Sequence, residues 1–309
     1  PSDLYSSNTQ GTLLGTLSST TTEITVTNET FNVLKEVQDD SQISYTSSNS
    51  NIASISNDGT ISGIKEGYAT IAVNKVGTEY TSIAQVTVLP QGVDIKPMAL
   101  TQGSHTTILK ADGTVWSYGL NSSFELGNGT NVSSDMPVKV SFGDGIVIKQ
   151  IAVGNTHNLA LDTEGNVWAW GINTSKAIPH VSNVPYRIGA NNIKKIAANG
   201  NQSMFLTETG YVYVLGSNEN GELGTRTYEN VSSITMLPYI NNIIDISMGG
   251  NHTLLLTSNG KVLASGLNVY GQTSKEQGKS NIFEEIELDD IIGQISAGGN
   301  HSVLINSQE

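Results

Sequence analysis

Two glycines held at fixed distances from a recurring anchor constrain this chain more than any other feature. Aligned on His105, His157, Gln202, His252 and His301, the sequence repeats in steps of 52, 45, 50 and 49 residues. Eight residues after the anchor stands Gly113, Gly165, Gly210 or Gly260, and fourteen residues after it Gly119, Gly171, Gly216 or Gly266. Four units keep both offsets without a gap. A period near fifty residues with rigid internal spacing is the mark of a repeat architecture, in which each unit buries a face against the next.

The spacing reads as a hairpin. A first strand follows the anchor, as in Thr106–Lys110 or Leu254–Leu256. The pairs Asp112-Gly113, Glu164-Gly165, Thr209-Gly210 and Asn259-Gly260 then make a tight turn, where glycine supplies the positive φ of a twisted hairpin. Val115–Tyr118, Val167–Trp170, Tyr211–Leu215 and Val262–Ala264 give the second strand. The closing glycine lets the chain leave the sheet or lets a neighbouring backbone approach. One hairpin alone is marginal, so stacking of copies into β-propeller blades is expected.

Composition agrees with many short strands. Charged residues make up 14% of the 309, and 32 are glycine. The chain carries a net charge of −13. Residues 1–90 hold nine acidic and three basic side chains, and residues 91–309 hold nineteen and twelve, so both parts are acidic. Such a surface promotes solubility and repels nucleic acid, and no basic run offsets it. With no cysteine, disulfides, thiolate metal sites and cysteine nucleophiles are excluded. No apolar run is long enough to span a membrane, so no membrane insertion is expected. The abrupt opening at Pro1, without a signal peptide, reads as a mature or trimmed segment.

The units resemble the regulator of chromosome condensation repeat, over residues 95–309. The resemblance rests on the Gly-x-x-His-Thr/Ser start, the turn glycine and the aromatic-then-Gly end of the second strand. It also rests on an Asn…Leu-Gly element, seen as Asn121…Glu125-Leu126-Gly127 and Asn218…Glu222-Leu223-Gly224. Asn268-Val269-Tyr270-Gly271-Gln272 is a weaker version. Asn173-Thr174-Ser175-Lys176 lacks the Leu-Gly, and Gln202 stands where a histidine is expected. The resemblance implies seven-bladed propellers, whereas four units and the start of a fifth are present in residues 92–309. That implies a part of a longer protein, with open strand edges through which copies could associate.

Residues 19–91 follow another pattern. Strand-like stretches at 23–26, 43–46, 52–55, 70–73 and 84–88 alternate with turns such as Asn57-Asp58-Gly59, Glu66-Gly67 and Val76-Gly77. The runs Tyr45–Ile55 and Asp58–Ile71, ending in Gly67-Tyr68-Ala69-Thr70-Ile71, resemble the bacterial Ig-like group 2 domain. The fold class expected is therefore all-β, an Ig-like β-sandwich followed by a partial β-propeller. Residues 1–18, rich in Ser, Thr and Gly, read as a linker or the end of a preceding domain. The Ig-like resemblance implies secretion or display on a bacterial cell surface.

No Gly-x-Ser-x-Gly, Walker loop or His-Glu-x-x-His motif is visible, so no catalytic residue, cofactor or metal site is assigned. The recurring histidines lie on different blades and do not converge, which fits hydrogen bonding to neighbouring backbone better than metal ligation. Glu284-Glu285 and Asp289-Asp290 read as a solvated face. The aromatics Trp116, Tyr118, Trp168, Trp170, Tyr211 and Tyr213 read as core packing. Length variation lies between the closing glycine and the next anchor, at 38, 31, 36 and 35 residues. Loops there are the expected contact surface, with Phe124, Met136, Phe142, Tyr186, Tyr228, Tyr239 and Tyr270 as candidates for a protein or glycan partner. The expectation is a non-catalytic extracellular binding or display module. The alternatives are a regulator of a protein partner, by nucleotide exchange on a GTPase or by enzyme inhibition, and a glycan-active propeller enzyme.

Overall fold

The computed structural model describes residues 22–26, 30–32, 43–57, 60–65, 67–75, 81–88, 95–273 and 277–307. Residues 1–18, Asp58-Gly59, Glu66 and Val76-Gly77 lie outside them. The described residues form two compact units. Of these residues, the first unit takes those up to 97, 109–114 and 142–149, and the second those of 98–108, 115–141 and 150–307.

In the first unit seven strands make a sandwich: β1 (Thr22–Val26), β2 (Thr30–Asn32), β3 (Ile43–Ser47), β4 (Ala53–Ile55), β5 (Thr60–Gly63), β6 (Gly67–Lys75) and β7 (Thr81–Val88). One sheet has the order β1-β7-β6-β3 and the other β2-β5-β4. Between them Ala53, Ile61, Ala69, Ile71, Val86 and Val88 form a buried core. Within β6, Ala69 and Ile71 alternate with the half-buried Tyr68 and Thr70, as expected of a sheet with one covered face.

Eighteen further strands form the blades. The first blade holds β8 (Met98–Gln102), β9 (His105–Leu109), β10 (Val115–Gly119) and β11 (Ser134–Lys139). The second holds β12 (Ile148–Val153), β13 (His157–Asp162), β14 (Val167–Gly171) and β15 (Ser182–Arg187). Next come β16 (Ile193–Asn199), β17 (Gln202–Thr207), β18 (Val212–Gly216) and β19 (Val231–Met236). The fourth blade holds β20 (Ile243–Met248), β21 (His252–Thr257), β22 (Val262–Leu267) and β23 (Lys279–Glu285). A two-stranded fifth sheet is made of β24 (Ile292–Ala297) and β25 (Ser302–Asn306). In every four-stranded blade the strands neighbour one another in chain order.

The blade frame begins one strand before the anchor. The segments between a closing glycine and the next anchor are thus not loops alone: each carries the fourth strand of one blade and the first strand of the next. Alternate residues of the anchor strand face opposite neighbours. Leu159 and Leu161 join Ile193, Ile196 and Phe205 of the third blade in one core. Leu254 and Leu256 join Ile292 and Ile295 of the fifth sheet, while Leu255 packs backward against Met204 and Leu206. At the turn end, the carbonyls of Gly113, Gly165, Gly210 and Gly260 accept the first N–H of the following strand, Ile148, Ile193, Ile243 and Ile292, at 2.9–3.1 Å.

The closing glycine is set by a close approach. His157 pairs across the ladder with Gly171, Gln202 with Gly216 and His252 with Gly266. Gly171 sits at φ +106, and a Cβ there would overlap the Thr156 carbonyl oxygen and lie 2.8 Å from His157 Cα. Backbone comes that near only where no side chain intervenes.

Candidate functional site

The repeated polar residues are occupied in joining blades. His105 Nε2 lies 3.0 Å from Asn158 Oδ1, His157 Nε2 3.0 Å from Ser203 Oγ, and His252 Nε2 3.0 Å from Ser302 Oγ. Each ring thus reaches the residue that follows the anchor in the next blade. The expected bond to neighbouring backbone is met at His157, whose ring also faces the Gln202 backbone; the closest partner of each ring is a side chain that is itself bonded to backbone. Asn158 Nδ2 donates to the Glu125 carbonyl at 2.9 Å, Ser203 Oγ to that of Ala177 at 2.7 Å and Ser302 Oγ to that of Gln272 at 2.6 Å.

Those bonds fix the tautomer. The hydroxyl protons of Ser203 and Ser302 go to carbonyls, so Nε2–H must donate to each serine oxygen, as it must to Asn158 Oδ1. Nδ1 then carries a bare lone pair, and in His105, His157 and His252 it is buried without a hydrogen-bond partner. A Cβ at Gly154 or Gly249, three residues before the ring, would overlap the imidazole, which explains the Gly-x-x-His spacing. Burial, with the nearby His105 ring as a smaller contribution, pulls His157 from 6.5 down to about 4. Burial, assisted by His301, does the same to His252, again to about 4, and burial lowers His105. Neutral rings are therefore built into the junctions.

The third blade departs from the pattern. Gln202 Nε2 turns to Glu222 Oε1, and Thr253 Oγ1, the hydroxyl that a histidine would reach, is buried without a partner. Burial raises the Glu222 carboxyl above its usual value. The Asn…Leu-Gly element is a turn device. Asn121 Oδ1 accepts the Leu126 N–H at 2.9 Å, Asn218 Oδ1 that of Leu223 at 2.8 Å and Asn268 Oδ1 that of Thr273 at 2.9 Å. In the second blade a 3-10 turn at Thr174–Lys176 leads into Ala177-Ile178, and Ile178 is buried as Leu126 and Leu223 are. Trp170 is fully buried and donates from Nε1 to the Glu125 carbonyl at 2.8 Å. Core packing does not describe Tyr211, which is exposed, and Trp116, Tyr118, Trp168 and Tyr213 are half-buried.

The seven candidate contact residues have separate surroundings. Phe142 belongs to the first unit and the other six to the second. Phe124 is half-buried at φ 63 inside the Asn121 turn. Met136 is exposed on β11 and Tyr270 is exposed between β22 and β23. Tyr186 on β15 is tied down: its ring stacks on His180 at 3.7 Å and its Oη bonds the His180 carbonyl at 3.0 Å. Burial pushes its phenol up to about 12. Tyr228 lies under Lys279 Nζ, 4.2 Å from the ring centre, and Tyr239 under the Arg226 guanidinium at 3.7 Å.

Tyr239 and Arg226 border a cleft of about 610 Å³ in the second unit, between the outer strands β19 and β23. Its wall includes Met236, Leu237, Ile240, Ile282 and Phe283. Sequence reasoning missed all of these except Tyr239. Arg226 alone had a signal, as one of two arginines in the chain. Among the described residues no group of three or more His, Cys, Asp or Glu could hold a metal ion. None of the described helices is long and apolar enough to cross a membrane.

Four meandering four-stranded sheets joined by hydrogen-bonded side chains define a propeller of the repeat class, preceded by an Ig-like sandwich. Comparison with known families agrees: the chain carries regulator of chromosome condensation (RCC1) repeats, matched at residues 112–161, 209–256, 148–176 and 243–272, behind a bacterial Ig-like domain (group 2) at residues 16–88. The RCC1 domain-containing protein RUG3, mitochondrial, of Arabidopsis thaliana is 36% identical over 129 residues, 40% of this chain and 29% of the relative. The chain thus spans under a third of that relative's length. Human WBSCR16 shares the fold with a TM-score of 0.62 at 19% identity, over 78% of this chain and 70% of that one. Prp20p from Saccharomyces cerevisiae does so with a TM-score of 0.59 at 17% identity, over 80% of this chain and 72% of that one.

Proposed function

We propose that the protein is a non-catalytic binding or display module, secreted or on a bacterial cell surface, that engages a protein or glycan partner through the segments at the outer strands of its propeller. In this reading residues 19–91 are the Ig-like spacer and residues 92–309 the binding part. The observation that carries it is the division of labour in the repeats. The recurring His, Asn, Ser and Glu side chains are taken up by blade junctions and turns. Exposed large side chains, Met136, Tyr239 and Tyr270 among them, lie instead at the variable outer segments. The Ig-like match supports an extracellular setting. Screening the chain against glycan and surface-protein arrays tests it. Saturable binding to one class of partner is expected, and silence across both arrays at micromolar concentration would sink it.

A regulatory role on a protein partner is the second reading. The yeast fold neighbour Prp20p was solved together with a study of its binding to Gsp1p and histones, and yeast RCC1 (Prp20) was crystallised with Kap60. Labelled-nucleotide release from a small GTPase would detect exchange activity, and inhibition kinetics would detect enzyme inhibition. The acidic balance, nineteen acidic against twelve basic residues in 91–309, disfavours a nucleic-acid partner by repulsion.

A further inference from the structure

We propose that the cleft between β19 and β23 takes an extended stretch of a partner polypeptide, with an apolar side chain in the cleft and an adjacent carboxylate on Arg226. This rests on the binding reading and gives the partner its chemistry.

Three observations converge. Met236, Ile282 and Phe283 give the cleft an apolar wall, and Met236 and Ile282 are each 40% exposed at its mouth. Arg226 stands at the rim, and no carboxylate of the described residues forms an ion pair with it. The other arginine, Arg187, is bonded to Asn166 and Asn191. Arg226 is also held in place. Its backbone is at φ 69, its N–H donates to the Asn281 carbonyl at 2.8 Å, and its guanidinium lies 3.7 Å over Tyr239. A planar fork pre-positioned on an aromatic ring suits a carboxylate. In a region with a surplus of acidic residues, an unpaired guanidinium beside apolar surface selects a ligand that is both acidic and apolar.

The backbone favours a peptide over a sugar. Among the described residues β19 is the last strand of its sheet, so Thr235 and Met236 border the cleft from a strand edge. An extended chain can add its own main-chain hydrogen bonds there while alternate side chains enter the cleft. Side-chain amides and carboxylates, which would hold sugar hydroxyls, are absent from the wall.

The test uses the full chain, labelled with ¹⁵N, and four probes: N-acetyl-Glu-Leu-Glu-amide, N-acetyl-Gln-Leu-Gln-amide, N-acetyl-Glu-Gly-Glu-amide and sodium glucuronate. The Glu-Leu-Glu probe is expected to shift the amides of Arg226, Met236, Tyr239 and Phe283 saturably. The Gln-Leu-Gln and Glu-Gly-Glu probes should bind at least ~10-fold more weakly, since one lacks the charge and the other the apolar group. Arg226→Asn, a residue that tolerates positive φ, should remove the preference for Glu over Gln while leaving distant amides in place. Met236→Glu should abolish binding by putting a carboxylate in the cleft. Equal binding of the Glu and Gln probes overturns the proposal, as does equal or tighter binding of glucuronate, or an absence of shifts at the cleft. A partner found on the arrays whose shifts map to Met136 and Tyr270 overturns the cleft alone and leaves the binding reading intact.

Discussion

Acid should loosen the propeller through its buried imidazoles, and His157 is the place to measure it. At pH 7 this ring is neutral in the folded chain and mostly neutral in the unfolded one. Below 6.5 the unfolded imidazole takes a proton that the folded one refuses until about pH 4, because the ring is buried out of water and, to a smaller extent, lies near the His105 ring. The unfolded chain therefore binds more protons across that window, and stability falls as pH falls. A displacement of about 2.5 units at ~1.4 kcal/mol per unit amounts to ~3 kcal/mol once complete. Roughly 2 kcal/mol of it is lost between pH 7 and pH 4.5. Carboxylates titrate over the same range, so the contribution must be isolated by difference. His157→Gln does this, since Gln202 already occupies the equivalent place in the third blade. At pH 7 the variant should lose about 1 kcal/mol with the Ser203 bond. Urea unfolding of parent and variant at pH 7 and pH 4.5, followed by tryptophan fluorescence, gives the four stabilities. All three tryptophans, Trp116, Trp168 and Trp170, lie in the blades and so report on the propeller. The parent should lose ~2 kcal/mol more than the variant on acidification. Equal losses would refute the claim that the neutral ring is the source.

Two other perturbations probe the same junctions. Gly171→Ala should cost ~3 kcal/mol or more, because φ +106 and the Thr156 carbonyl both oppose a Cβ, whereas Gly189→Ala, with no atom in reach, should stay within ~0.5 kcal/mol; calorimetric melting compares them. Gln202→His should offer Nε2–H to the unpartnered Thr253 hydroxyl but lose the Gln202–Glu222 bond, so the two effects, each ~1 kcal/mol, should nearly cancel at pH 7, and the variant should lose stability below pH 6.5 relative to the parent, read from urea midpoints.

Much of the blade could be read from spacing because the spacing is itself a contact. The fourteen-residue offset pairs the anchor with its closing glycine across one ladder, as His157 pairs with Gly171. The eight-residue offset marks the turn glycine whose carbonyl starts the next blade. Both are local consequences of a two-stranded ribbon. The blade boundary was missed although it is written in the sequence: β12, β16, β20 and β24 each read Ile-x-x-Ile-Ala/Ser, with the first Ile nine residues before the anchor, inside stretches read as loops. Tyr186 shows a different limit for the site. Its aromatic ring and variable position suggested a contact residue, yet it is stacked on His180 and bonded to it, a fact that six residues of intervening chain do not reveal. The cleft was invisible for a stronger reason: Arg226, Tyr239 and Phe283 meet only when two blades stand side by side.

The sequence by itself determined the repeat, the turn positions, the all-β class and the exclusion of thiol chemistry, since these follow from glycine's backbone freedom, from alternation and from composition. Tertiary structure alone decided what the recurring histidines do. A ring in one blade finds its partner 46 to 53 residues away, in another blade, and that distance in sequence carries no signal until the sheets pack. The fixed glycines place the strands; burial between blades then makes the imidazoles neutral and leaves the outer segments to meet a partner.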